Sequence, residues 1–436
     1  MRFAQVLAAL DARTNYERSG RLVAPTLARM EALMDVMAHP EQSFSAIHIT
    51  GTNGKTTTAR AATEVLRAAG LHVATYISPH VESILERFSY DGVAMTQDEF
   101  VEAWRELAPF LDLIDARGEQ VTWFEAATAL AFTWFADKAV DVAVIEVGMG
   151  GTWDATNVID APTAVISRID VDHAHVLGAT PAEIAREKAG IIKPGAIVFM
   201  AEQEADVADV LRARCAEAEA EMRAEGIAFE VERSRLALGG QSLSFRIEHD
   251  RYTDVFLPMF GEQFAHDAVL GAAAARAMLG GRTIEADVMH EAFANIMVPG
   301  RMEVVHRSPL AVLDGAHNPA AARALATSMP SAFKFDRLWL VVGMLGDKDV
   351  DGALEHLLPL ADEVICTRPA AERAISAEDL AERARAAGKE PIVVQNVADA
   401  ISVAIERAED SDCILVTGSL YTVGEARTSF LSKEST

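Results

Sequence analysis

Seven consecutive residues, Gly51-Thr52-Asn53-Gly54-Lys55-Thr56-Thr57, carry the groups that a polyphosphate site needs. Glycines without a Cβ let backbone N–H groups approach phosphate oxygens, and Lys55 adds a point charge. A hydroxyl of Thr56 or Thr57 can help hold Mg²⁺. The usual phosphate loop places four residues between its glycines, and Ile49 stands where the first glycine would fall. The loop is therefore a shortened variant, and its flanks carry the assignment. The apolar run Ala46-Ile47-His48-Ile49 predicts a strand entering it, and the pattern from Thr58 to Ala69 predicts a helix leaving it. The plainer alternative is an ordinary strand–helix turn, which leaves Lys-Thr-Thr at the helix mouth unexplained.

Three further segments place metal-capable side chains where strands should end. Val73 to Ile77 reads as a strand, and Ser78-Pro79-His80 follows it. Val140 to Val147 is almost continuously apolar and β-branched, as a parallel strand covered on both faces must be, with one acid, Glu146, at its end. A carboxylate there costs several kcal/mol to desolvate unless a cation offsets it. Glu146 thus reads as a Mg²⁺ ligand, the alternative being a salt bridge to a neighbouring Lys or Arg. Ala164 to Ile169 predicts a third strand, leading to Asp172-His173; His173 is structural or a ligand. Between them lies Gly148-Met149-Gly150-Gly151, a loop with little side-chain bulk, then Trp153-Asp154-Ala155-Thr156-Asn157. Thr180-Pro181-Ala182-Glu183 opens a capped helix carrying Lys188, which composition alone makes an ordinary surface lysine.

The elements that position these groups form an α/β pattern. At 436 residues the chain exceeds one compact core. Phe3, Val6, Leu7 and Leu10 share a helical face, Asn15 to Arg21 reads as a loop, and Ala126 to Ala136 reads as a buried helix too short to span a bilayer. Glu204 to Gly226 reads as a solvated helix. Phe229 to Leu238, Ser242 to Ile247 and Val255 to Leu257 read as hairpin strands around Gly239-Gly240, followed by a helix from Phe264 to Leu279. Beyond Val298-Pro299-Gly300-Arg301 the strands 311–313, 338–342, 363–366, 392–394 and 413–416 alternate with helical patterns, predicting a second, smaller open sheet. The expected domains are 1–298 and 299–436. A net charge of −26 argues against a broad nucleic-acid surface, and three scattered cysteines fit reduced thiols in a cytosol. No export signal or membrane span is read, so the expectation is a cytoplasmic protein.

In order, these segments resemble the folylpolyglutamate synthase and dihydrofolate synthase family, relatives of the Mur ligases. The resemblance rests on Gly51 to Lys55, Ser78-Pro79-His80, Glu86-Arg87, Thr122-Trp123-Phe124-Glu125, Glu146 to Gly151, Asp154-Ala155-Thr156-Asn157, Asp172-His173, Glu187-Lys188-Ala189-Gly190, Pro299-Gly300-Arg301, Asp314-Gly315-Ala316-His317-Asn318 and Thr417-Gly418-Ser419. The phosphate loop is shared with the Mur branch; the Ser-Pro-His, Asp-Ala-Thr-Asn and Asp-Gly-Ala-His-Asn segments favour the folate branch. It implies a P-loop ATP-binding domain with a mainly parallel sheet and a smaller Rossmann-like C-terminal α/β domain.

The implied reaction is ATP-dependent addition of L-glutamate to dihydropteroate or reduced folates through an acyl phosphate. A Mur-type ligase acting on another carboxylate, such as a UDP-muramyl compound, is the alternative. Thr52, Asn53, Gly54, Lys55, Thr56, Thr57, Asp267, Arg301 and Asp314 would hold ATP. Ser78 and Glu146 would hold one Mg²⁺, and His173 with a carbamylated Lys188 a second, making Lys55, His173 and Lys188 the catalytic set. Thr122, Trp123, Phe124, Glu125, Trp153, Asp154, Ala155 and His317 would contact substrate, although Phe124 and Trp153 also suit plain core packing. A monomer without nucleic-acid or membrane partners is expected. Departures from the family pattern are Thr56 for Gly, Ile77 for Thr, Thr152 for Arg, Gln263-Phe264 for His-Gln and Asp267 for Asn; Asp only accepts where Asn also donates.

Overall fold

The computed structural model describes residues 2–20, 25–118 and 120–434. Two compact units divide the chain: one takes 1–237, 241–258 and 264–296, the other 238–240, 259–263 and 297–436.

The first unit is built on β1 (Ser45–Thr50), β2 (Val73–Tyr76), β3 (Phe88–Tyr90), β4 (Val93–Ala94), β5 (Val142–Glu146), β6 (Thr163–Ile166), β7 (Ile197–Met200) and β8 (Glu221–Ala224). Their order is β4-β3-β2-β5-β1-β6-β7-β8, parallel from β2 to β8 and antiparallel at the β3–β4 edge. The chain leaves β1 between β5 and β6, where crossovers run to opposite sides, and a parallel sheet opens a ligand crevice at such a point. Ile47, Ile49, Val144, Ile145, Val165 and Ile166 are all fully buried, which explains the unbroken apolar runs. Helices Gln97–Asp115 and Trp123–Asp137 cover one face with Phe100, Phe132 and Phe135, and each starts from a capping box, Thr96 with Glu99 and Thr122 with Glu125.

Three sequence readings are corrected here. Tyr16–Ser19 is a one-turn helix rather than loop, because Asn15 caps it and Gly20, at φ +68°, ends it; Arg21 lies outside the described residues. The reading of 204–226 as a single helix fails: helix Ala205–Glu217 stops, and residues 221–224 form edge strand β8 along β7. Val207 and Leu211 of that helix are buried, so it is not wholly solvated. β6 also ends at Ile166, three residues early, since Ser167 and Arg168 turn towards the phosphate loop.

A separate antiparallel sheet follows, β9 (Phe229–Ala237), β10 (Gly240–Ile247) and β11 (Asp250–Leu257), then helices Glu262–Met278 and Ala286–Ala294. The second unit carries β12 (Glu303–Arg307), β13 (Leu310–Leu313), β14 (Leu338–Val342), β15 (Glu363–Cys366), β16 (Ile392–Val393) and β17 (Cys413–Thr417), in the order β12-β13-β17-β14-β15-β16. All pairings but β12–β13 are parallel. β12 escaped sequence reading because, as an exposed antiparallel edge, it lacks the apolar run of its neighbours. Among the described residues no helix is long and apolar enough to cross a membrane.

Candidate active site

The phosphate loop leaves β1 at Thr50 with Gly51 at φ +148° and Gly54 at φ +91°, and helix Lys55–Ala68 starts directly after it. A Cβ on Gly51 would overlap the Ser167 hydroxyl, and one on Gly54 the Asp267 carboxylate, so both glycines are required by space as well as by conformation. The loop is braced from behind. The Thr52 and Asn53 amides donate to the Arg168 carbonyl at 2.9 and 3.3 Å, and Ser167 Oγ donates to the Asn53 carbonyl at 2.7 Å. Thr52 Oγ1 donates to the Asp170 carbonyl (2.8 Å) and accepts from its amide (3.0 Å). Thr52 and Asn53 thus shape the loop, and the N-terminus of helix Lys55–Ala68, the positive end of its dipole, follows directly after it.

The two threonines at the helix mouth differ in their surroundings. Thr56 Oγ1 donates to Glu146 at 3.0 Å, whereas Thr57 is buried with its hydroxyl unpartnered. Glu146 is 1% exposed at the end of β5, and the Ser78 amide donates to its Oε2 at 3.4 Å. The Thr56 hydroxyl and the Glu146 carboxylate therefore meet beside the loop, hard oxygens of the kind Mg²⁺ takes, usually completed by phosphate and water, with the Ser78 amide on the same carboxylate. Among the described residues no three His, Cys, Asp or Glu side chains gather to hold an ion by themselves.

Gly148 to Gly151 owes its composition to close approach rather than to low bulk alone. A Cβ on Gly148 would overlap the Phe124 ring, and one on Gly151 would stand 2.6 Å from the Lys188 carbonyl oxygen. Thr50 Oγ1 donates to the Gly150 carbonyl at 2.9 Å. Asp154 is buried and anchors the far side, accepting from the Met149 amide (2.9 Å), the Thr156 amide (3.0 Å) and Thr156 Oγ1 (2.5 Å). Behind it, His48 Nε2 lies 2.8 Å from Thr156 Oγ1. Burial pushes the His48 imidazole down to about 3, with Lys193 adding to the effect, so at neutral pH it is uncharged. A lone histidine inside an apolar strand is the sequence signal for this buried hydrogen-bond chain. Trp153 is half-buried, its amide 3.4 Å from Glu187 Oε1, and Ala155 is buried.

Lys188 is not the surface lysine that composition suggested. It is 4% exposed, and its Nζ donates to the Gly51 carbonyl at 2.8 Å. Lys55 Nζ donates to that same oxygen at 3.1 Å. Burial, reinforced by the Lys55 charge, pushes the Lys188 amine down to about 7. His173 is also corrected: it stands seven residues beyond the end of β6, in left-handed conformation (φ +50°), and starts the short helix Ala174–Leu177. Its Nδ1 lies 3.2 Å from Tyr16 Oη and its Nε2 3.9 Å from Asp172 Oδ2.

Of the segment 122–125, only Phe124 faces the glycine loop. Thr122 and Glu125 cap their helix, Glu125 also pairs with Arg29, and buried Trp123 donates its indole N–H to Asp11 at 3.0 Å. Arg87, 1% exposed, lies over the Trp123 ring, pairs with Glu17 and donates to His80 Nδ1 at 2.9 Å; burial followed by the Arg87 charge pushes His80 down to about 4. Residue types alone gave Arg87 no role. Asp267 rests against Gly54 from helix Glu262–Met278, where Gly271 lets the backbone approach the Thr58 carbonyl.

In the second unit, buried Asp314 at the end of β13 accepts from the Met302 and Ala316 amides, both at 2.9 Å. Burial raises its carboxyl above the usual range, and the Arg301 charge opposes this. Arg301 Nη1 donates to the Gly300 carbonyl at 3.1 Å, His317 Nδ1 donates to the Gly315 carbonyl at 2.9 Å, and Asn318 caps helix Pro319–Ala332. Asp314 thus fixes the turn that presents Arg301.

Comparison with known proteins matches these two regions separately. Residues 49–275 match the Mur ligase middle domain, and residues 300–420 match the Mur ligase glutamate ligase domain. The chain is 40% identical to the dihydrofolate synthase/folylpolyglutamate synthase of Mycobacterium tuberculosis, over 94% of this chain and 90% of that protein. It is 34% identical to the Escherichia coli enzyme of the same name, over 86% and 84%. The structure of M. tuberculosis folylpolyglutamate synthase complexed with ADP superposes with TM-score 0.93 at 40% identity, covering 98% of each chain. E. coli FolC in complex with DHPP and ADP gives 0.85 at 29% identity, covering 100% of this chain and 99% of that one. With the loop, the buried carboxylate and the buried lysine in place, the chain belongs to the folylpolyglutamate synthase/dihydrofolate synthase family of the Mur ligase superfamily.

Proposed function

We propose that this protein is an ATP-dependent ligase that adds L-glutamate to dihydropteroate, to reduced folates, or to both. The observation that carries the reading is the sharing of one carbonyl, that of Gly51, by Lys55 and Lys188, on a phosphate loop whose Thr56 reaches the buried Glu146. Two ammonium groups on one buried oxygen repel each other, and the lowered Lys188 amine relieves the conflict. An amine near neutrality reacts with CO₂, forming N–C(O)O⁻ and releasing a proton. The resulting carbamate would carry a negative charge beside Lys55 in place of a second positive one.

In this reading Thr56, Ser78 and Glu146 hold one Mg²⁺, and His173 with carbamylated Lys188 a second. The ions supply charge neutralisation for phosphoryl transfer between two anions. Lys55 and the first-turn amides bind the triphosphate, with Asp267, Arg301 and Asp314 assigned to the nucleotide. Phe124, Trp153, Asp154 and Ala155 lie along the glycine loop and are assigned to the pterin-bearing substrate; Thr122, Trp123 and Glu125 support Phe124 from its helix, and His317 is assigned to substrate. The substrate carboxylate oxygen attacks the γ-phosphorus and ADP leaves. The α-amine of glutamate then attacks the acyl carbon, loses a proton, and phosphate leaves. The protein is assigned a cytoplasmic, monomeric existence.

Phosphate release should be measured with glutamate and MgATP while dihydropteroate, tetrahydrofolate or a UDP-muramyl compound is varied. Release that saturates with a pterin-bearing carboxylate supports the reading. Release with only the muramyl compound, or with no acceptor at all, overturns it.

A further inference from the structure

Successive side chains of a strand point to opposite faces, so β1 sets Ile47 and Ile49 on one face and His48 and Thr50 on the other. Both polar residues reach the segment that follows β5. Thr50 Oγ1 donates to the Gly150 carbonyl at 2.9 Å. His48 Nε2 lies 2.8 Å from Thr156 Oγ1, which donates to Asp154 Oδ1 at 2.5 Å. His48 and Thr156 are fully buried and Asp154 is 3% exposed, so these polar groups must satisfy one another.

Two proton arrangements close such a chain, because a hydroxyl has one proton to give. In the first, an ionised Asp154 accepts from Thr156, and the Thr156 oxygen accepts from His48 Nε2–H. In the second, a protonated Asp154 donates to Thr156, Thr156 donates to a bare Nε2, and the histidine proton moves to Nδ1. The surroundings favour the first. Asp154 also accepts from the Thr156 amide at 3.0 Å and the Met149 amide at 2.9 Å, bonds that are strongest to a carboxylate. Burial raises the Asp154 carboxyl above the usual range, and these bonds oppose the rise. His48 Nδ1 is buried with no partner among the described residues, so the second arrangement would strand an N–H donor there.

We infer that His48 is a positioning residue for the pterin-bearing substrate: its Nε2–H, relayed through the Thr156 hydroxyl, holds the Asp154 carboxylate on the Met149 amide and so fixes the glycine loop. This rests on the assignment of Asp154 and that loop to the substrate. The strand that feeds the phosphate loop thereby also shapes the neighbouring loop. The sequence concealed the role, because Thr156 lies 108 residues from His48.

The test is steady-state phosphate release by the whole protein with MgATP, glutamate and either dihydropteroate or tetrahydrofolate, whichever the wild type turns over, beside ¹⁵N spectra of its histidines. In the wild type His48 should carry its proton on Nε2. Thr156→Val and His48→Leu should each raise KM for the pterin compound about tenfold, as expected for losing a hydrogen bond in a chain that ends on a charged group. KM for ATP should stay within about twofold and kcat within about threefold, the pattern of lost substrate binding. Thr156→Ser keeps the hydroxyl and should stay within about threefold of the wild type throughout. The double variant should be no worse than the poorer single one, since both break one chain. The wild-type tautomer is read without any substitution, so it decides even where a variant fails to fold. A proton on His48 Nδ1, an unmoved pterin KM in folded Thr156→Val, or the two KM values rising together overturns the inference and leaves the proposed function standing. A wild type that turns over neither pterin compound overturns the proposed function, and the inference falls with it.

Discussion

At the residue scale the account turns on Lys188. A buried amine pushed down to about 7 is uncharged in the folded chain over a range where it is charged in the unfolded one. The unfolded state then binds the extra proton, so this group's contribution is full above its ordinary value and is lost as pH falls through about 7. Lys188→Met should therefore be more stable than the wild type at pH 7, by up to several kcal/mol on the scale of about 1.4 kcal/mol per unit, while losing ligation. Thermal unfolding at pH 7 with no added bicarbonate checks the first half; a lower Tm would show that the Gly51 hydrogen bond outweighs desolvation. Lys188→Ala should abolish ligation, with acetate or formate restoring part of it, and full activity without either would remove the carbamate. Glu146→Gln should fold normally and lose Mg²⁺-dependent turnover; unchanged turnover would return Glu146 to a structural role. Residue types pointed to Lys55, Ser78 and Glu146, because a lysine in a glycine loop and polar groups at apolar strand ends stand out. They could not point to the burial of Lys188, the pairing of Arg87 with Glu17, or Tyr16 beside His173, which come from segments brought together only by the fold.

At the element scale, short-range pattern was enough wherever one strand or helix buries a continuous face. β14 and β15 fall on the residues that their apolar runs mark, and the box Thr180 to Glu183 caps its helix as spelled. Pattern failed at 204–226, where a turn separates a half-buried helix from edge strand β8, and at His173, where Ser167 and Arg168 leave the sheet to brace the phosphate loop. Two predictions belong here. Gly151→Ala pushes a Cβ into the Lys188 backbone, which has no flexible end to swing away; activity should fall at least about tenfold and Tm should drop. Unchanged kinetics would mean that the glycine loop and Lys188 move independently. His48, neutral when folded with its imidazole at about 3, makes the unfolded state bind more protons between about pH 6.5 and 3, so stability falls as pH falls through that window. Its share is at most about 5 kcal/mol. Urea midpoints at pH 7 and 4.5 should converge in His48→Asn relative to the wild type, and equal acid losses in both would contradict the assignment.

At the scale of the whole molecule, a chain with net charge −26 that takes anionic substrates needs local cations to meet them. Lys55 at the helix mouth is the cation proposed for the first unit, and Arg301, beside the Asp314 turn, the one proposed for the second. The two-unit α/β plan was legible because strands and helices alternate with glycine and polar residues at carboxyl edges. The extra edge strand β12 and the helix Ala286–Ala294 were not, since neither carries a catalytic signature or a long apolar run. The central claim, that the substrate carboxylate takes the γ-phosphoryl group of ATP, is tested most directly by oxygen transfer. Dihydropteroate labelled with ¹⁸O in its carboxylate should be turned over with MgATP and glutamate, and the phosphate and folate products weighed by mass spectrometry. The account predicts one ¹⁸O in each phosphate released and a product heavier by one glutamyl residue; unlabelled phosphate, or phosphate released with no glutamyl product, would contradict it.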